Sequence, residues 1–302
     1  MTAKKYDVVA IGELNVDLIL TGISSMPVPG REILAKTCIL TMGSSTAICA
    51  AGLASLGLSV AFAGKVGDDG YGRLASDTLA GYGVDMSGLI IDSSLQTGIT
   101  VAMTAEGERD RAMVTYMGAI DKLTAGDVDE RLIQNARHMH VGSFFLQNSL
   151  RPGLAELFRT AKEAGATTSL DAGWDDSENW DCGLSDVLRH TDIFFPNDSE
   201  AHAITGQRDA KKAAAELAKL CSVCAVKCGA DGAVISDGGE IVESPAYDAK
   251  VVDTTGAGDS FNAGFLYGFL KGYGIKKAAE YGNACGSVSV TRYGGASASG
   301  SG

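Results

Sequence analysis

Basic residues are in short supply: 25 lysines and arginines stand against 37 aspartates and glutamates, a net charge of −12. That balance argues against nucleic acid or an anionic membrane as a partner, since both select basic surfaces. It leaves phosphate ligands open, because backbone amides and a metal ion can supply local positive potential. No secretory signal is visible, as Asp7, Glu13 and Asp17 interrupt the apolar run after Lys4 and Lys5. A long hydrophobic span is missing too. Ala47–Gly64 carries no charge, but Gly52, Ser55, Gly57 and Ser59 weaken it, and it reads as a buried helix ending at Leu56-Gly57 before a strand Val60–Ala63. The seven cysteines are odd in number and lack a secretory context, which makes a reduced cytoplasmic protein the expectation. Cys221, Cys224 and Cys228 have no second cysteine or histidine pair nearby and read as small apolar residues.

Other absences are chemical. There is no Gly-x4-Gly-Lys-Ser/Thr loop, no dinucleotide fingerprint and no His-Glu-x-x-His pair. The histidines are scattered, and His140, near a strand end, reads as structural. The glycines are dispersed, and only the tail Gly294–Gly302 reads as a flexible end.

What is present is a chain of 302 residues, 45% apolar, long enough for one large α/β domain spanning 1–302. Strands are expected at Tyr6–Ile11, His138–Val141, Thr167–Leu170, Ile193–Phe195, Cys224–Lys227 and Ala233–Ser236. Helices are expected at Arg151–Ala164, Asp209–Leu220 and Ile275–Val290. The alternation implies a doubly wound, mostly parallel sheet with helices on both faces. Glu32–Met42 and Thr97–Met117 read as extended insertions, which suggests a small separate sheet.

The stretch Val251–Asn262 organises the reading. Lys250, Val251 and Val252 read as a strand end, followed by a glycine turn and a helix from about Ala257 to Leu270. Gly256 and Gly258 let the backbone approach a ligand, and the helix start leaves amides free for an anion. Asp259 in that first turn is either a helix cap or a carboxylate base beside an anion hole.

Asp253-Thr-Thr-Gly-Ala-Gly-Asp259 resembles the C-terminal signature of the ribokinase-like (PfkB) carbohydrate kinase family, and further blocks from Gly12 to Gly294 follow in family order. The resemblance implies a kinase that uses ATP and Mg²⁺ to phosphorylate a primary hydroxyl of a sugar or sugar-like molecule. Asp259 would be the base, and Gly256, Ala257 and Gly258 would hold the transferring phosphoryl group. Gly12-x4-Asp17 is similar to the family's sugar-gripping segment, so Asn15 and Asp17 are expected at the substrate, with Asp17 otherwise a plain loop residue. Gly43–Gly57 resembles the N-terminal signature, and Gly43, Ser44 and Ser45 are expected at the substrate. Here Ser44 replaces a second glycine and Ile48 an asparagine, departures expected to remove one amide from the sugar pocket and to hide which sugar is used.

Gln147 is expected near the substrate, together with Phe144 and Phe145 unless these are core. Asn197-Asp-Ser-Glu200 resembles a motif that organises Mg²⁺ through water, with Glu200 as its carboxylate; in isolation it is a helix cap with a capping box. Lys227, Gly229 and Gly232 resemble the loop against the nucleotide, itself a hairpin turn when read alone. Asn283 would lie near the nucleoside. Asp253, Thr255, Ser289, Arg292 and Gly294 match a monovalent-cation site, for K⁺, found in several members. The segments at about 16–42 and 96–118 would form a β-sheet lid that often makes a homodimer contact. Two alternatives stand beside this reading: a nucleoside kinase using Phe144, Phe145 and Tyr116 to stack a base, and a non-catalytic sugar- or nucleotide-binding protein on the same fold.

Overall fold

The computed structural model describes residues 4–107 and 111–295. Most of the expected tail therefore lies outside the described residues, as do positions 108–110 of the second insertion.

In chain order the first half carries β1 (Tyr6–Ile11), β2 (Val16–Ile23), β3 (Thr37–Met42), α1 (Ser45–Ser55), β4 (Val60–Gly67), α2 (Gly70–Gly81), β5 (Asp85–Asp92), β6 (Ile99–Ala105) and β7 (Ala112–Tyr116). It continues with α3 (Glu130–Gln134), β8 (Ala136–Val141), α4 (Arg151–Glu163), β9 (Thr167–Asp171), α5 (Leu184–Leu188) and β10 (Ile193–Phe195). The chain then adds α6 (Asp198–Thr205), α7 (Ala210–Leu217), β11 (Val223–Lys227), β12 (Ala233–Ser236), β13 (Ile241–Ser244), α8 (Ala257–Leu270) and α9 (Ile275–Ser289).

Nine strands form one sheet in the order β13-β12-β11-β10-β9-β8-β1-β4-β5. The pairs from β11 to β5 are parallel, and the β12 and β13 pairings are antiparallel. Alternation along β1 sends Val9 and Ile11 into one core and Val8 and Ala10 into the other. The first core is covered by α3 to α7, the second by α1, α2, α8 and α9. A strand buried on both faces has to be almost wholly apolar, which is why β1 and β10 read as short hydrophobic runs. The doubly wound expectation is therefore met. A separate four-stranded sheet, β3-β2-β6-β7, is built from the two insertions. Among the described residues no helix is long and apolar enough to cross a membrane.

Several boundaries differ from expectation. Lys250–Val252 is not a strand: Val251 is exposed, and Val252 N–H bonds to Val290 O after α9 at 2.7 Å. The sheet ends at β13, so this β-branched pair has no neighbour to ladder with. Asp17 is not in a loop but inside β2, and within Glu32–Met42 only Thr37–Met42 pairs with it. The helix expected at Asp209–Leu220 ends at Leu217, with Ala218 as its cap.

Helices α1 and α8 lie side by side because a glycine lets them. A Cβ on Gly52 would stand 2.8 Å from the Ala263 Cβ. Gly52→Val should force the two apart and lower stability by about 1–3 kcal/mol, read as a lower urea midpoint at unchanged slope. An unchanged midpoint would refute close packing at this contact.

Candidate active site

The carboxyl ends of the parallel strands meet two helix starts at one edge of the sheet, where open α/β folds bind ligands. Glu13 follows β1, Asp171 ends β9, Asn197 follows β10 and Lys227 ends β11. The starts of α1 and α8 face one another there. Ser45 Oγ donates to Asp259 Oδ1 at 2.5 Å, so Asp259 does not cap its own helix. The cap of α8 is Gly256, with φ +72° and no side-chain bond. That left-handed turn suits glycine, and a Cβ here would come 2.5 Å from the Gly295 Cα and 3.1 Å from Ile48 Cδ1. The Gly256 and Gly258 amides have no bonded partner among the described residues, whereas Ala257 N–H makes a long 3.3 Å bond to Thr254 O. Two of the three expected anion-hole amides are thus open.

Behind this turn lies a buried polar network. Lys227 Nζ pairs with Asp171 Oδ2 at 2.5 Å, and Asn262 Nδ2 donates to the same oxygen at 2.7 Å. Burial alone would raise Asp171, but Lys227, Asn262 and neighbouring His140 hold it below the usual carboxylate range. Burial would lower Lys227, but Asp171, Glu200 and Asp259 keep it charged. Asp259 is raised to about 6, by desolvation first and repulsion from Asp171 second, against the pull of Lys227 and Ser45. Glu200 is raised to about 7 for the same two leading reasons. His140 is buried, is lowered to about 4 by that burial, and hydrogen-bonds Ser169 Oγ, which makes it structural.

On the other side of Asp259, Asp17 is buried in β2 and raised to about 7, by desolvation first, with Arg111 pulling the other way. Its carboxylate packs on Gly43, where a Cβ would stand 2.1 Å from Asp17 Oδ1. Asn15 Nδ2 is 3.3 Å from the same oxygen. Ser44 holds φ +78°, which explains the glycine of the family pattern. A serine keeps the backbone amide of that position, so the amide lost is the side-chain one that an asparagine at position 48 would bring. Its hydroxyl bonds Glu13 O and accepts from Ala47 N, which fixes the turn. Ile48 turns away to pack under Gly256 and Gly295.

Gln147 does not line open space. It is fully buried, and its Nε2 donates to Glu13 Oε2 at 2.6 Å. Phe144 is fully buried and Phe145 nearly so, in the core under α4, which removes both as base-stacking residues. Tyr116 is exposed on β7 and bonds Gln96.

A cavity of ≈ 400 Å³ opens beyond Gly258, lined by Lys227, Gly229, Gly232, Tyr247, Thr254 and Asn283. Asn283 reaches this cavity, but its Nδ2 is spent on Ser244 and Pro245 oxygens. Asn197 and Glu200 form the capping box, with both bonds at 2.8 Å. Asp253 gathers Thr255 N, Thr255 Oγ1 and Gly294 N, while Ser289 in the last turn of α9 keeps a buried hydroxyl without a partner among the described residues. Arg292 follows this turn, its amide on Ser289 O. Among the described residues no cluster of three or more His, Cys, Asp or Glu could hold a metal alone.

The sequence reading missed Glu13, Thr46, Asp171 and Asn262. Thr46 bonds Glu13 through both its amide and its hydroxyl. Asp171 had a usable signal, since a carboxylate closing a parallel strand falls at the ligand edge.

A doubly wound sheet with a small second sheet at its carboxyl edge is the build of ribokinase-like kinases, and solved structures share it. An adenosine kinase from Sinorhizobium meliloti superposes at TM-score 0.86, with 27% identity over 96% of this chain and 95% of that one. A putative ribokinase II from E. coli, solved with ATP and Mg²⁺, gives 0.83 at 25% identity, covering 98% and 96%. An ATP-dependent ribose-1-phosphate kinase of Halopiger xanaduensis is 32% identical over 96% of this chain and 94% of its own. The pfkB family carbohydrate kinase pattern matches residues 5–300, and the chain belongs to that family of carbohydrate kinases.

The raised Asp17 has a stability consequence. Its folded value of about 7 lies above the ordinary aspartate value of 3.8, so the contribution is full below about 3.8 and is lost as pH rises towards 7. Asp17→Asn should therefore leave the melting temperature of the ligand-free protein unchanged near pH 4 and raise it increasingly up to pH 7. A constant offset across that range would contradict the raised value.

Proposed function

We propose that this carbohydrate kinase moves the γ-phosphoryl group of ATP onto a primary hydroxyl of a sugar or sugar-like acceptor, with Asp259 as general base. One observation carries the reading: Asp259, held by Ser45, stands beside the open amides of Gly256 and Gly258 and across from Lys227. Phosphoryl transfer asks little covalent chemistry of a protein, so positioning and charge stabilisation dominate. Asp17, Asn15 and the turn from Gly43 to Ser45 orient the acceptor, and Asp259 takes its proton. The Gly256, Ala257 and Gly258 amides, with Lys227, face the charge that spreads over the transferring group. Gly229, Gly232 and Asn283 border the nucleotide cavity.

The residues fit a divalent ion, because Asp171, Glu200 and Asp259 surround one lysine, with Glu13 beyond Asp259, and leave an excess of negative charge. Asn197 and Glu200 would hold Mg²⁺ through water, and the ion would neutralise charge on the phosphates. Asp253, Thr255, Ser289, Arg292 and Gly294 would form a K⁺ site, which the unpartnered Ser289 hydroxyl suits.

The whole chain acts as one domain in this reading, with segments 16–42 and 96–118 as a lid that keeps water from the transfer. The exposed Met113, Val114 and Tyr116 of β7 support a homodimer through that sheet. Seven free cysteines support a reducing cytoplasm. A nucleoside acceptor is the second reading, favoured by the adenosine kinase likeness and weakened by the burial of Phe144 and Phe145.

The test is ADP release with Mg-ATP across pentoses, hexoses, keto-deoxy acids and nucleosides. Asp259→Asn should cut turnover by roughly 10²–10⁴ with little change in ATP binding; near-normal turnover would remove Asp259 from the role of base. A base raised to about 6 must lose its proton to act, so kcat/KM should climb with pH through about 6. Nucleotide binding without ADP release from any acceptor would favour a non-catalytic binding protein.

A further inference from the structure

We propose that Ser45 is itself a phosphoryl acceptor: with no sugar bound, the site transfers the γ-phosphoryl group of ATP onto the Ser45 hydroxyl and modifies its own chain. The inference rests on the kinase reading with Asp259 as base and gives the same site a second substrate.

Ser45 opens α1 and is half-buried, and its Oγ donates to Asp259 Oδ1 at 2.5 Å. A general base has to lie within hydrogen-bond reach of the proton it removes. Among the described residues Ser45 is the hydroxyl that meets this condition at Asp259. It is also a primary alcohol, the class of hydroxyl proposed for the sugar. Neighbouring hydroxyls are committed elsewhere. Ser44 Oγ donates to Glu13 O, Thr46 Oγ1 to Glu13 Oε2 and Thr255 Oγ1 to Asp253 Oδ1, while Thr254 Oγ1 accepts from Arg111.

The face of α1 that carries Ser45 is turned towards the start of α8. Ile48 and Gly52, three and seven positions on, share that face. A Cβ on Gly256 would stand 3.1 Å from Ile48 Cδ1, and one on Gly52 2.8 Å from the Ala263 Cβ, one turn after Asp259. A Cβ on Gly258 would stand 3.4 Å from Lys227 Nζ. Hydroxyl, base, ammonium and the open amides of Gly256 and Gly258 thus meet at one helix start.

The step balances with ATP alone. Ser45 Oγ bonds to the γ-phosphorus as the bond from that phosphorus to the bridging oxygen breaks. ADP leaves with the electron pair, and the serine proton passes to Asp259. The phosphoserine faces the α8 amides, whose place at a helix start favours an anion. A sugar hydroxyl that takes over Asp259 displaces Ser45 and spares it, so the modification belongs to the sugar-free enzyme.

The experiment is phosphate incorporation from γ-labelled Mg-ATP into the phosphatase-treated full chain without sugar, with the labelled residue located by peptide fragmentation. Label is expected on Ser45 of the wild type, at a rate per molecule that does not depend on protein concentration. Asp259→Asn should lower that rate by roughly 10²–10⁴, and Ser45→Ala should abolish the label. The site is mapped on the wild type, so a poorly folding variant does not decide the outcome. An unlabelled wild type, label on another residue, undiminished label in Asp259→Asn, or a rate that rises with protein concentration would each overturn the inference. A sugar that is turned over should slow labelling about tenfold or more when present far above its Kd; unchanged labelling would place Ser45 away from the acceptor position and refute the proposal. ADP release on the sugar panel is scored separately. Release from a sugar with no label on Ser45 sinks this inference and keeps the kinase reading. Label on Ser45 with no release from any sugar keeps this inference and sinks the sugar acceptor.

Discussion

One buried ammonium holds the site together. Lys227 ends β11 beneath the start of α8, with Asp171, Glu200 and Asp259 all raising its proton affinity. Removing these charges from water is costly, and only mutual pairing and hydrogen bonds offset the cost. Asp171 takes the direct ion pair and Asn262 fills a second site on the same oxygen. The remaining carboxylates respond in the way open to buried acids, by holding protons to higher pH. The resting site is thus short of positive charge, a state suited to a ligand that arrives with a divalent ion.

That arrangement depends on backbone placement more than on side-chain reach. Strand ends from β1 to β11 set the carboxylates and the lysine along one line. Helix α1 enters beside α8 only because Gly52 lets Ala263 close. The contact brings Ser45 onto Asp259, 214 positions away in sequence. Ile48, where an asparagine was expected, packs beneath Gly256 and supports the turn whose amides stay open. Core packing and site geometry are here the same contacts.

What the sequence made legible was local. The bounds of α8 could be read directly, because a left-handed glycine at the helix start and the apolar run after it are features of adjacent residues. The alternation of strand and helix gave the doubly wound sheet for the same reason. What stayed hidden was pairing at long range. Glu13 looked like one polar residue after a strand, yet it collects Thr46 and Gln147 from two other elements. Gln147 is buried behind Glu13, to which its Nε2 donates, while its Oε1 has no partner among the described residues. Lys250–Val252 had the composition of a strand and lacked only a neighbour, which composition does not encode.

The departures at Ser44 and Ile48 acquire a different meaning in three dimensions. Ser44 adopts the backbone that a glycine would, at a strain cost of order 1–3 kcal/mol, and recovers part of it through its bonds to Glu13 and Ala47. The chain direction at this turn is therefore retained even though the motif letters change. Ile48 faces the other way, against Gly256 and Gly295. Asp17 keeps its place against Gly43 and Asn15 whichever side chain stands at 48, so the backbone rather than the motif letters sets this edge of the cleft.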